Sequence, residues 1–187
     1  MTATRLDISD HLTLVDGLPK PEWDAIAGRI EEGIGPDERF AVWTGAIRQW
    51  MNRMRSALGE GYDVAESEHF LATLPDGVPG DVVLRFAEKC RIRMLEVLPD
   101  IGAFSAPGKE ALLLFRDRAT CDKYLSLWSS DADTDRFLGG AHVREGYPHV
   151  AATGLNYDHL EDTLAHELIH LSLCHLRLPL WIEEGLS

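Results

Sequence analysis

"TLAHELIHLSL", Thr163 to Leu173, sets two histidines four positions apart, with a glutamate directly after the first. At about 100° per residue, His166 and His170 lie about 40° apart and one turn along, so their rings can converge on one ion. Glu167 falls on the neighbouring edge, close to that ion without competing for it. Leu164, Leu168 and Leu171 take the opposite side. A helix buried on one face and carrying two imidazoles on the other is the geometry of H-E-x-x-H zinc sites. The same pattern also suits a plain buried helix whose histidines are held by core hydrogen bonds. The rest of the chain must separate the two.

Elements upstream of the motif give the fold class. Residues 20–59 read as two helices, one carrying Trp23, Ile26, Ile30 and Ile34 and ending at Gly35-Pro36. The second repeats Trp43, Ile47, Trp50, Met51, Met54 and Leu58 at a period of 3.6. Arg48, Arg53 and Arg55 fall off that stripe, as a solvated basic face. Residues 62–75 read as one strand, and residues 80–99 as a helix with Val83, Phe86, Ala87, Cys90, Met94 and Leu98 on one side. "EALLLFRD" (110–117) is a continuous apolar run, as expected of a strand covered on both faces. A helix over "RATCDKYLSLWSS" follows, then two short strands in 139–154 around a Glu145-Gly146 turn, with Pro148 and flanking glycines suggesting a sheet edge. The motif helix is predicted from about Asp158, capped there with Glu161 three residues on, to Leu176. This order predicts an α+β fold, a small mixed sheet with helices packed on one face.

Bulk properties narrow the function classes. The chain has 187 residues, enough for one domain with a real core. Its net charge of -13 repels phosphate backbones and leaves no basic patch, so nucleic acid is not an expected partner. No apolar run approaches the roughly 20 residues that cross a bilayer, so no membrane partner is expected. The first 20 residues lack the charged start and apolar core of a secretory signal. Cys90, Cys121 and Cys174 are odd in number and widely spaced, which suits reduced thiols. Together these point to a cytoplasmic location.

A catalytic zinc takes three protein ligands and keeps one position for water. His175 lies about 140° around the helix from His170, on the leucine side, and cannot reach the same ion. It is expected in or near the core. A metzincin would need glycine and histidine where Leu173 and Leu176 stand, so that class is excluded. No histidine follows His175, which leaves a carboxylate. "LPLWIEEGLS" (178–187) supplies Glu183 and Glu184 on a short helix opened by Pro179. Either would complete a His₂Glu set. Cys174, four after His170, is read as a small hydrophobe rather than a ligand.

"HELIH" followed by "LPLWIEEGLS" resembles the gluzincin metallopeptidases, whose second helix carries W-[IL]-x-E-G-[LF]-[AS]. The resemblance extends upstream through the "ALLLFRD" strand, the following helix and the Gly-Gly hairpin. Over roughly residues 62–187 the chain is similar to peptidase-MA-like domains. It implies a zincin-like fold in residues 60–187, with residues 1–59 as an N-terminal helical extension. It also maps the third ligand to Glu184 rather than Glu183. Family members continue beyond the position of Ser187, so the sequence in hand is expected to be a minimal or truncated domain. The implied activity is zinc-dependent peptide-bond hydrolysis: His166, His170 and Glu184 hold Zn²⁺, and Glu167 is general base and then acid. The substrate would be an extended peptide added to the edge strand in 139–152. Tyr147, Tyr157, His149 and His159 are candidates to stabilise the oxyanion. His159 stands about two turns from the pair, too far to be a fourth ligand. The competing reading is a catalytically inactive or latent zincin fold acting as a metal-binding or interaction module. A purely helical scaffold accounts for neither Glu167 nor Glu184.

Overall fold

The computed structural model describes residues 6–128, 139–153, 157–176, 178–179, 181–182 and 185. Its centre is a five-stranded mixed sheet of β3 (Tyr62–Glu66), β4 (Phe70–Pro75), β5 (Glu110–Phe115), β6 (Gly140–Val143) and β7 (His149–Thr153). The strand order is β3-β4-β5-β7-β6. β4, β5 and β7 run parallel, and β3 and β6 lie antiparallel at the two edges. β1 (Leu12–Val15) and β2 (Leu18–Pro21) form a separate hairpin. The helices are α1 (Trp23–Gly33), α2 (Pro36–Leu58), α3 (Gly80–Val97), α4 (Arg118–Leu125) and α5 (Tyr157–Leu173).

β4 and β5 are buried along their whole length, and their side chains alternate between two cores. Leu71, Ala111, Leu113, Phe115 and Ala151 join Trp23, Ile26, Ile30, Ile47, Trp50 and Tyr124 on one face. Phe70, Ala72, Leu112, Leu114, Val150 and Ala152 join Val83, Ala87, Met94, Leu164, Leu168 and Leu171 on the other. A strand's side chains point alternately up and down, so this split places the sheet between two helical layers. The layers are α1, α2 and α4 on one side, and α3 and α5 on the other. The expectation of helices on one face is therefore corrected. The parallel strands are apolar on both sides because both sides are covered, as parallel sheets require.

Two further corrections are local. Residues 62–75 are two strands, not one, joined at Ser67–His69, where Ser67 N–H donates to the Phe70 carbonyl and Glu88 accepts from Ser67 Oγ and His69 N–H. The "LTLVDGLPKP" stretch forms the β1–β2 hairpin, which the sequence reading passed over. Asp16 and Gly17 both take positive φ, 51° and 81°, as a two-residue Asp-Gly turn demands. The α+β class, the two N-terminal helices, the 110–115 strand and the 139–154 hairpin all stand as read.

Residues on both sides of the expected boundary at 59/60 share one core. Trp50 is fully buried, stacks edge-on against His149 of β7, and donates from Nε1 to the Pro19 carbonyl. Deleting residues 1–59 removes α1 and α2 and leaves only α4 over that face of the sheet, and the remnant is expected to lose its near-UV circular dichroism and its cooperative urea transition. A cooperative transition retained by residues 60–187 would instead make them an independent folding unit.

Candidate metal centre

α5 buries Leu160, Leu164, Leu168 and Leu171 against α3 and the sheet. That seating turns the polar side of the helix toward β6 at the sheet edge. Gly139 and Gly140 let the strand come down onto it. A Cβ at Gly139 would stand 2.8 Å from Thr163 Oγ1. One at Gly140 would stand 2.9 Å from Thr163 Cγ2, 3.1 Å from Ala152 Cβ and 3.2 Å from Glu167 Cγ. Glycine is needed there for clearance, not for backbone conformation. The contact fixes Glu167, only 3 % exposed, directly beneath the edge strand.

His166 and His170 meet as the one-turn spacing predicts. Their rings lie 4.7 Å apart, centroid to centroid, inclined at 71°, and their Nε2 atoms are separated by 3.1 Å. Two nitrogens bound to one zinc at 2.0–2.1 Å with tetrahedral angles stand about 3.3–3.4 Å apart. The observed pair needs to open by only a few tenths of an ångström to take an ion. Without an ion, the same separation suits one Nε2–H donating to the other ring. His170 is buried and His166 half-buried, so the pair sits at the edge of the core rather than inside it. Among the described residues no third His, Cys, Asp or Glu groups with them to hold a metal. Glu183 and Glu184 lie outside the described residues. Close by, Trp181 and Ile182 have helical backbone, Ile182 N–H donates to the Pro179 carbonyl, and Trp181 is 75 % exposed.

The hairpin candidates for the oxyanion sit elsewhere. Parity along the strand decides it: 149 and 151 face α2 and α4, while 150 and 152 face α5. His149 is fully buried among Trp50, Tyr124 and Trp128. Its Nδ1–H donates to the Tyr147 carbonyl, so Nε2 accepts from the Tyr124 hydroxyl. Tyr147 lies against Trp23 and Trp43 on the same far face, donates to the Lys109 carbonyl and accepts from Gly108 N–H. Neither reaches the His166/His170 side of the sheet. His159 is exposed, and the side chains of Tyr157 and Asp158 lie outside the described residues. His175 is exposed on a 3-10 turn, Cys174–Leu176, rather than packed in the core. Cys174 is half-buried, 3.9 Å from Ser105 Oγ.

One residue on the correct face went unread. His142 shares its side of β6 with Gly140 and is paired with Val150, which faces α5. The signal was in the sequence: Ala141 and Val143 are the apolar members of the alternation, so 140 and 142 must point the other way. No family model, curated protein or solved structure matches this chain.

Two outcomes follow from this geometry. Gly140→Val crowds Thr163, Ala152 and Glu167 together and is expected to lower stability by about 1–3 kcal/mol in urea unfolding. A neutral result would mean that the strand and helix are not in close contact. Burial pushes the His149 pKa from 6.5 down to about 4, partly opposed by its bond to the Tyr147 carbonyl. The unfolded chain therefore binds this proton first as pH falls. The stability contributed by neutral His149 is complete above about pH 6.5 and is lost as pH falls through about 4. In a histidine NMR titration its ring signals should stay at neutral-imidazole shifts until that lower range.

Proposed function

We propose that the chain is a zinc-dependent peptidase of gluzincin type. The observation that carries this reading is the convergence of the His166 and His170 Nε2 atoms to 3.1 Å, with Glu167 held beside them under the sheet edge. This arrangement supports the reading, on a helix whose other face is committed to the core. Glu184 completes the ligand set by the W-x-x-E-G resemblance. Two imidazoles and a carboxylate suit zinc by type and number. When bound there, zinc supplies a Lewis acid and lowers the pKa of water toward neutrality.

The chain's own residues do the rest. Thr153 N–H donates to the Gly139 carbonyl, so 139, 141 and 143 exchange hydrogen bonds with β7. The N–H and C=O groups of Gly140 and His142 then point to the open side, where among the described residues no strand pairs with β6. An extended peptide adds to this edge through those groups, and its main chain runs over Glu167 and the histidine pair. Glu167 takes a proton from the attacking water and delivers it to the amine nitrogen as the C–N bond breaks. The water oxygen ends in the new carboxylate.

Metal analysis of purified protein should give about one zinc per chain. His170→Ala and Glu184→Ala should weaken zinc binding, and Glu167→Gln should spare it. Cleavage of a quenched fluorescent extended peptide should disappear in Glu167→Gln. Tightly held zinc with no turnover on any unfolded substrate would favour the non-catalytic metal-binding module. Absence of zinc uptake would overturn the proposal.

A further inference from the structure

His142 is the one histidine that β6 turns toward α5. Its level along the helix follows from the glycine contacts. Gly139 lies over Thr163, and Gly140 over Thr163 and Glu167, so strand and helix advance together. Two strand residues cover about 6.6 Å, close to the roughly 5.4 Å of a helical turn. On that spacing His142 falls about one turn beyond the Thr163/Glu167 level, near that of His170.

Its Nε2 is enclosed and has no hydrogen-bond partner among the described residues. Leaving a buried polar nitrogen unpaired costs about 1–3 kcal/mol, a cost that valine or leucine at this strand position would not carry. The described residues also place no third ligand with the His166/His170 pair, which argues against His142 as part of the metal shell. The ring lies on the α5 side of the edge strand, the side on which the pair stands.

We propose that His142 is a substrate-contacting residue of this site: its Nε2–H donates to the carbonyl oxygen of the peptide bond lying over the His166/His170 pair. This role rests on the peptidase reading above and deepens it. Negative charge builds on that oxygen as water adds, so the bond strengthens toward the transition state. A neutral imidazole carries one N–H, so in this role the ring donates a hydrogen bond and moves no proton. The main chain of His142 pairs with the peptide while its side chain holds the reacting carbonyl.

The test compares wild type with His142→Leu and His142→Gln, both zinc-loaded. His142→Leu should keep the zinc stoichiometry and affinity of wild type and unfold at the same or a higher temperature. It should lose kcat on the order of 100-fold with KM changed by less than about threefold. Its affinity for a peptide phosphonate, which carries the tetrahedral anionic centre, should fall by a similar factor. His142→Gln, which keeps an amide donor, should recover part of both, and carries the comparison if the leucine variant does not fold. With a wild type that binds zinc and cleaves peptide, unchanged kcat and phosphonate affinity in His142→Leu would overturn this role alone. A loss of zinc affinity as large as that of His170→Ala would make His142 a ligand and overturn the donor assignment. Wild-type protein that takes up no zinc sinks the peptidase reading and this role with it.

Discussion

The close approach of β6 to α5 at Gly139 and Gly140 is the constraint on which the site depends. A side chain at either position would push the strand off the helix, and Glu167 would lose the lid that keeps it 3 % exposed. On the other side of α5, Leu160, Leu164, Leu168 and Leu171 anchor the helix against α3 and the sheet. The helix cannot rotate to relieve one contact without exposing the other. The histidine pair is thus oriented by packing on two sides, and its 3.1 Å convergence follows from where the helix is seated.

The sheet's far side supports this arrangement. Trp23, Trp43, Trp50, Trp128, Tyr124, Tyr147 and His149 form a continuous aromatic cluster beneath β5, β6 and β7. Such rings bury large areas and bring geometric preferences worth about 0.5–1.5 kcal/mol per pair beyond burial. The residues that lock β7 in place are therefore contributed mainly by elements before residue 59 and by α4. The N-terminal helices belong to the scaffold that holds the edge strand level over α5, whatever else they do.

Much of this was legible in the sequence, and the misses have physical causes. Periodicity found the helices, and the continuous "EALLLF" run correctly signalled a strand covered on both faces. Placing all helices on one face contradicted that same signal, because element order was weighed above burial. The Asp16-Gly17 hairpin carried one of the strongest local turn signals, but the first 20 residues were weighed only against the pattern of a secretory signal, which they lack. Tyr147 and His149 stood among the oxyanion candidates because a hairpin near the motif helix was identified without its parity. A one-residue shift in a strand exchanges its faces, and the alternation of Ala141 and Val143 would have fixed it. The helix geometry of His166, Glu167 and His170 was fully readable, since 3.6 residues per turn leaves little freedom. The carboxylate of the proposed ligand set could not be placed that way, because no periodicity relates Glu183 or Glu184 to α5.

The central claim is that the two imidazoles share a divalent cation with one later carboxylate. X-ray absorption at the zinc edge of the zinc-loaded protein tests it most directly. The account predicts a first shell of nitrogen and oxygen at about 2.0–2.1 Å, with the outer-shell pattern of two imidazoles and no sulfur. A shell containing sulfur at about 2.3 Å, or one whose imidazole pattern survives replacement of both His166 and His170, would contradict it.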